Sequence, residues 1–208
     1  MSLCKLSKKK GLQILLDRLE IQSTLFVMKN RIALCFCILA SPIWADECPM
    51  PIDITLQMAD LIEEANKVTS QTDGFSVTHR MWMLWKTAPD KRAQDLLDIG
   101  LERRGGMDLV GAMAAFDALV EYCPNYAEGY NQRAFVSYIR HDFDQALIDL
   151  DIALELSPNH VAAESGKALS LIGLGRKEEA YIVLKSAIRK NPWLPEKDLL
   201  AWLIDESI

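Results

Sequence analysis

Residues 127–160 read AEGYNQRAFVSYIRHDFDQALIDLDIALELSPNH, and residues 161–194 read VAAESGKALSLIGLGRKEEAYIVLKSAIRKNPWL. Laid one over the other, the two stretches have the same order: an apolar-periodic segment, a short turn, a second such segment, then a proline. Pro158 and Pro192 are joined by Pro124 of the preceding stretch 93–126, each a step of 34 residues from the next. A residue with no backbone N–H and a fixed φ stops a helix cheaply. Three further ladders keep that step: Ala112, Ala146 and Ala180; Gly100, Ala134 and Ala168; and the larger Phe116, Leu150 and Leu184. Self-similarity of this kind marks a stack of helix pairs. The middle unit predicts helices over Ala127–Ile139 and Asp144–Leu156 around a turn at His141-Asp142-Phe143. The third predicts Val161–Ile172 and Glu178–Lys190, with Gly175 supplying the backbone freedom of its turn. The first unit is looser, and Gly105-Gly106 marks its turn region.

These residues resemble the tetratricopeptide repeat family, which places small residues where paired helices approach, a large apolar one toward the next repeat and a proline at the end. The resemblance runs strongly over 93–192 and weakly over 58–91. Ala153 and Ala187 fit a further small position, where the first unit has Leu119. Glu164 and the pair Arg103 and Ser137 depart from the family pattern. The resemblance implies an all-α solenoid of antiparallel helix pairs with a concave groove lined by the first helices. By the family's usual contact positions that groove is lined by Leu97, Leu101, Arg104, Glu128, Asn131, Phe135, Tyr138, Ser165 and Leu169. Asn131 stands out because an amide bonds a peptide backbone in both directions; its plainer reading is a satisfied polar residue within the stack. Relatives that grip chaperone tails use cations and an amide at slots that here hold Leu97, Leu101, Ala162 and Gly166. The groove therefore reads as apolar and aromatic, suited to a hydrophobic peptide or a helix.

Working outward, residues 195–208 form a capping helix: Pro195 suits a first helical turn, and Leu199, Trp202 and Leu203 make one apolar stripe. Upstream, 54–68 carries Leu56, Leu61, Ile62, Ala65 and Val68 at helical spacing. Ser70-Gln71-Thr72-Asp73-Gly74 reads as a turn, followed by a second segment over 76–88 that stops at Pro89. Leu61, Ala65, Val77, Met81 and Leu84 fall on the repeat scaffold, so 46–92 reads as a degenerate extra helix pair. Trp82 and Trp85, three apart, read as core. The chain thus divides into 1–27, 28–45, 46–92, the units 93–126, 127–160 and 161–194, and the cap 195–208.

Residues 28–45, MKNRIALCFCILASPIWA, have the layout of an export signal: Lys29 and Arg31, an apolar run from Ile32 to Ala40, a break at Ser41-Pro42 and a small residue at Ala45. The run is shorter than the ~20 residues of a membrane-spanning helix. Met28 reads as the initiator, with 1–27 an extension outside the natural product. The alternative keeps 1–27 as a membrane-surface helix on an uncleaved N-terminus. Cleavage after Ala45 leaves two cysteines, Cys48 and Cys123, which an oxidising compartment such as the periplasm pairs as one disulfide; the plainer reading leaves two thiols. No CxxC is present.

Of 208 residues, 50% are hydrophobic and 25% charged, ordinary for a folded chain. The formal net charge of −6 divides into +5 over residues 1–45 and −11 over the rest. An acidic body repels nucleic acid and anionic lipid, so neither is expected as a principal partner. His79, His141 and His160 read as surface or turn residues, and Asp149, Asp151 and Glu155 as a solvated helix face. No GxSxG, HExxH or phosphate-cradling loop occurs, and no catalytic residue, metal or cofactor is expected. The function read from the sequence is a non-enzymatic periplasmic interaction module or scaffold with a protein or peptide partner. A self-associating envelope subunit is the alternative, and an enzyme with an unrecognised site the remotest. N-terminal sequencing of the exported protein is expected to begin at Asp46; a start before residue 28 overturns the signal assignment.

Overall fold

The structure, a computed structural model, is described for residues 47–205, so the segments expected over 1–45 lie outside the described residues. These residues form α1 (Thr55–Ala65), α2 (Gln71–Trp85), α3 (Lys91–Gly105), α4 (Leu109–Tyr122), α5 (Ala127–Ile139), α6 (Phe143–Leu156), α7 (Val161–Gly173) and α8 (Lys177–Lys190). A 3₁₀ turn at Pro195–Asp198 then leads into α9 (Leu199–Asp205). No strand occurs among the described residues. Helices α3/α4, α5/α6 and α7/α8 fold back as pairs, and α4 on α5 and α6 on α7 join one pair to the next. The chain is an all-α solenoid.

The ladders are its interior. Ala112, Ala134, Ala146, Ala168 and Ala180 are fully buried, as are Phe116 and Leu184. At Gly100 an added Cβ would lie 2.3 Å from Phe116 Cε1, so the small residue is what lets α3 and α4 approach. Local chemistry begins the helices: Asp90 accepts from Ala93 N at 2.8 Å and Asp108 from Gly111 N at 2.9 Å, satisfying donors that a helix start leaves open. The backbone bond to Ala93 and then the Tyr122 hydroxyl hold the Asp90 carboxyl below the usual carboxylate range.

The turns between paired helices follow one pattern. Met107, His141 and Gly175 have φ of 61°, 60° and 73° and occupy equivalent places in the period. In each turn the residue itself donates back to Arg104, Tyr138 or Ile172, and the next residue donates to Arg103, Ser137 or Leu171. This is the Schellman arrangement, which closes a helix with one left-handed residue. Only the third unit uses glycine there. Gly105-Gly106 do not serve this role: Gly105 ends α3, Gly106 has φ −82°, and the left-handed position falls on Met107.

Several expectations change at the N-terminal pair. Gln71–Gly74 belong to α2 rather than to a turn, with Ser70 capping through Asp73 N at 3.1 Å. Gly74 is admitted because the Trp193 ring packs on it; a Cβ there would lie 2.0 Å from Trp193 Cδ2. Leu56 is exposed. Residues 58–91 do supply a helix pair, but it does not continue the stack beside α3. Its core residues Met58, Leu61, Ala65, Val77, Met81 and Trp85 pack with Val161, Ala187 and Leu194, and Trp193 leans on the same cluster. Polar contacts join the same partners: Trp193 Nε1 donates to Ala65 O at 2.8 Å, Asn191 Nδ2 to Thr78 Oγ1 at 2.9 Å, and Asn66 Nδ2 to Arg189 O at 3.2 Å. Carbonyls left open at the end of α8 are thereby partly satisfied.

At the other end Leu203 is buried with Leu171, Ala180 and Leu184. Trp202 stays partly exposed, with the Lys177 ammonium 4.6 Å from its ring centre. Asp149 is not on a solvated face. It is fully buried and takes Arg133 at both oxygens, at 2.6 and 2.8 Å, while Arg133 also reaches Asp117 at 3.1 Å. Lys167 and Asp151 repeat the Arg133–Asp117 pairing one unit later, so α4, α5, α6 and α7 are laced by charge across the pairs. Cys48 and Cys123 have Cα atoms 5.2 Å apart, within the span of a disulfide. Among the described residues no helix is long and apolar enough to cross a membrane.

Replacing the strained left-handed residue should help, and creating one should hurt. Met107→Gly is expected to stabilise the fold by about 1 kcal/mol, and Gly175→Ala to destabilise it by about the same amount. Urea denaturation reads both, and destabilisation by Met107→Gly would contradict this account of the turns.

Candidate functional site

The first helices of the three pairs face a cavity of about 260 Å³, at the small end of ligand sites. Six of the nine residues expected at the groove line it: Arg104 from α3, Asn131, Phe135 and Tyr138 from α5, Ser165 and Leu169 from α7. Trp82 of α2 and the segment Leu194–Glu196 also line it. Trp85 is core, as the sequence suggested, whereas Trp82 is a wall of this cavity.

The other three candidates lie elsewhere. Leu97 is fully buried in the first pair's cluster with Ala93, Phe116 and Tyr126, and Leu101 packs beside the same cluster. Tyr126 closes over that cluster, its hydroxyl donating to Trp85 O at 2.6 Å, and burial holds its ionisation far above the usual tyrosine range. The first unit therefore contributes only Arg104 to the cavity among its candidates. Glu128 is buried as well, and it lines a second cavity of about 590 Å³. That space lies between residues 50–58, the end of α2 and the loops before α5 and α7.

Glu128 anchors a polar network that the sequence did not reveal. Asn131 Nδ2 donates to Glu128 Oε2 at 3.0 Å, Gln132 donates to Oε1, and His160 Nε2 lies 2.8 Å from Oε2. Ala163 N donates to His160 Nδ1 at 3.2 Å, so the ring proton sits on Nε2 and is given to the carboxylate. His160 is thus no surface residue: it is fully buried, caps α7 and stacks on Trp85 with ring centres 4.2 Å apart. Glu164, one helical turn beyond it, pairs instead with Lys190 at 3.0 Å. Asn131 spends its amide donor on this network, as its plainer reading held.

Arg104 continues the chain toward the cavity. It donates to Gln132 Oε1, and its guanidinium lies 4.8 Å from the Phe135 ring centre, a cation–π distance. Burial pulls its pKa below the usual arginine range, and the Glu128 charge opposes that pull. The cavity thus offers aromatic and aliphatic walls, one half-buried cation with donors to spare, and Glu196. The slots used for chaperone tails add no cation, since Ala162 and Gly166 line the cavity and Leu97 is core. Among the described residues no group of three or more His, Cys, Asp or Glu side chains is placed to hold a metal ion.

No family profile matches the chain. It is 41% identical over 73 residues to a tetratricopeptide repeat protein 36 homolog of Nematostella vectensis, a match covering 35% of the chain and 40% of that protein. A TPR repeat-containing protein of Rhizobium etli is 26% identical over 117 residues, covering 55% of the chain and 50% of the relative. The chain therefore spans half or less of these curated relatives. Among solved structures it is similar to the TPR2B domain of yeast Sti1 in a pHsp70 complex, with TM-score 0.51, 24% identity, and coverage of 56% of this chain and 95% of that one. The first TPR of Spaghetti (RPAP3) bound to the HSP90 peptide SRMEEVD gives TM-score 0.54 at 18% identity, covering 56% and 93%. These likenesses are of fold.

Removing the hub of the buried network strands its donors. Glu128→Ala is expected to cost about 3 kcal/mol, and Glu128→Gln less, because the amide oxygen still accepts. Chemical denaturation of both variants checks this; a change under about 0.5 kcal/mol for Glu128→Ala would mean the network holds nothing.

Proposed function

We propose that the chain, whose repeat ladders and fold are like those of tetratricopeptide repeat proteins, is a non-enzymatic protein-interaction module of the periplasm. Its concave cavity takes one bulky apolar or aromatic side chain from a short peptide or helix, with an acidic group of that segment turned to Arg104. The observation that carries this reading is the wall itself: Trp82, Phe135, Tyr138, Leu169 and Leu194 around a guanidinium that, among the described residues, donates to Gln132 Oε1. Apolar burial supplies the affinity of such a site, and the charge orients the guest. Glu196 on the same wall keeps the cavity from being a general anion trap.

One structural neighbour is in a pHsp70 complex and another is bound to an HSP90 peptide, which supports a groove used for peptides. This chain has none of the cations expected at the corresponding slots, so its guest differs in chemistry. The periplasmic setting rests on the signal-like 28–45 stretch and on the pairing of Cys48 with Cys123, 5.2 Å apart at Cα. A second reading, self-association, draws on Ile148 and Ile182, exposed at equivalent positions of α6 and α8. Sedimentation of the purified mature chain separates them, since a monomer at tens of micromolar removes the subunit reading.

For the groove, fluorescence anisotropy with labelled peptides carrying one Phe or Leu beside acidic or basic neighbours is the direct test. Acidic-flanked peptides are expected to bind more tightly, Phe135→Ala to weaken binding roughly tenfold, and Arg104→Gln to abolish the preference for acid. Absence of saturable binding across the panel refutes the groove assignment.

A further inference from the structure

We infer that α1 and α2 form a strap closing one end of the groove, latched at its leading end by a Cys48–Cys123 disulfide and released when that bond is reduced. The strap touches both ends of the stack. Its leading segment meets the first pair at Cys123, which is buried among Phe116, Leu119 and Tyr126. The body of the hairpin meets the last pair at Val161, Ala187, Leu194 and Trp193. The end of α2 lies against the starts of α5 and α7, where Tyr126 bonds Trp85 O and His160 stacks on the Trp85 ring. From there Trp82 enters the groove wall. The hairpin thus joins the first pair to the last, across the side on which the inner helices begin.

The leading segment has little else to hold it. Met50 and Ile52 are 73% and 69% exposed, and the second cavity lies beneath residues 50–58. Among the described residues its polar tie to the rest of the fold is a weak one, from Asn125 Nδ2 to Met50 Sδ at 3.4 Å. The cysteines are 75 residues apart in sequence, so the bond removes much chain freedom from any state in which the strap is lifted. Cutting it leaves α2 and the 86–90 connection as the covalent path from α1 to the repeats, with a bond from Ala88 N to Gln94 Oε1 at 3.1 Å, and leaves the docking of α1 on Trp193 and the last pair to non-covalent contacts alone.

The release step needs a dithiol reductant. One of its thiolates attacks a sulfur of the Cys48–Cys123 bond, and its second thiol resolves the mixed disulfide. Two electrons and two protons pass to the protein, leaving two cysteine thiols and a cyclic disulfide on the reductant. The strap does not depend on what the groove binds, and its test needs no guest.

The experiment is hydrogen exchange by mass spectrometry on the mature chain, oxidised and after a dithiol reductant, alongside the Cys48→Ser/Cys123→Ser double variant. Reduction is expected to speed exchange about tenfold or more in residues 55–85 and in the groove faces 131–138 and 162–170, leaving 93–122 protected. Trp193→Ala, which undocks the far side with the bond intact, should speed exchange in 55–85. No acceleration in 55–85 on reduction would show that the bond pins only the leading segment and would overturn the inference. Uniform acceleration of the whole chain would make the bond a general staple, and would overturn it equally, as would a free-thiol count of two in the mature protein before reduction.

Discussion

Gly100 lies against Phe116 because it has no Cβ, and the equivalent places hold alanines, Ala134 and Ala168, small and fully buried. Close approach of two helices is the constraint from which the rest of the stack follows. It brings the second helix near enough for Phe116, Leu150 and Leu184 to fill the space between pairs, with Ala112, Ala146 and Ala180 buried at the same crossings. Interiors packed this tightly tolerate neither added bulk nor voids, so the turns must return the chain at a set angle. Three Schellman turns do this, two of them with non-glycine residues held at positive φ.

Against that apolar frame, the buried polar groups stand out by what they cost. A carboxylate taken out of water is tolerated only when its oxygens are satisfied. Glu128 is satisfied by Asn131, Gln132 and His160, each from a different position on the inner helices or the loop before α7. Asp149 is satisfied by both nitrogens that Arg133 offers it. Glu128 couples neighbouring pairs through His160, and Arg133 does so through Asp117, more specifically than methyl groups do, because a shift in the relative placement of two pairs breaks hydrogen bonds outright. The Glu128 group also separates the two cavities: its partners Asn131 and Gln132 face one, and Glu128 with His160 faces the other.

The repeat units were legible because their signals are local. A proline after each pair, a small residue at each crossing and a glycine at φ +73° act within a few residues of themselves, so helix bounds at Ala127–Ile139 could be read directly. The groove was legible in part, for Arg104, Asn131, Phe135, Tyr138, Ser165 and Leu169 fall where the repeat geometry puts them. Leu97 and Glu128 did not, since whether an inner-face position is open depends on what covers it. Tyr126 and Trp85 cover this end. His160 looked like a turn residue because it follows Pro158-Asn159, and nothing adjacent in sequence announces a carboxylate 32 positions earlier.

By itself the sequence determined the helix pairs, their order and the small-to-large packing that stacks them, because each is written at a fixed short period. Only the tertiary structure decided where the N-terminal pair goes. Its placement turns on contacts such as Trp193 Nε1 to Ala65 O, separated by 128 residues, and on an indole seated against Gly74. Those partners sit outside the regular repeats, where no period relates one to the other. Their meeting is set by the shape the finished stack presents, and so is the closed end of the groove.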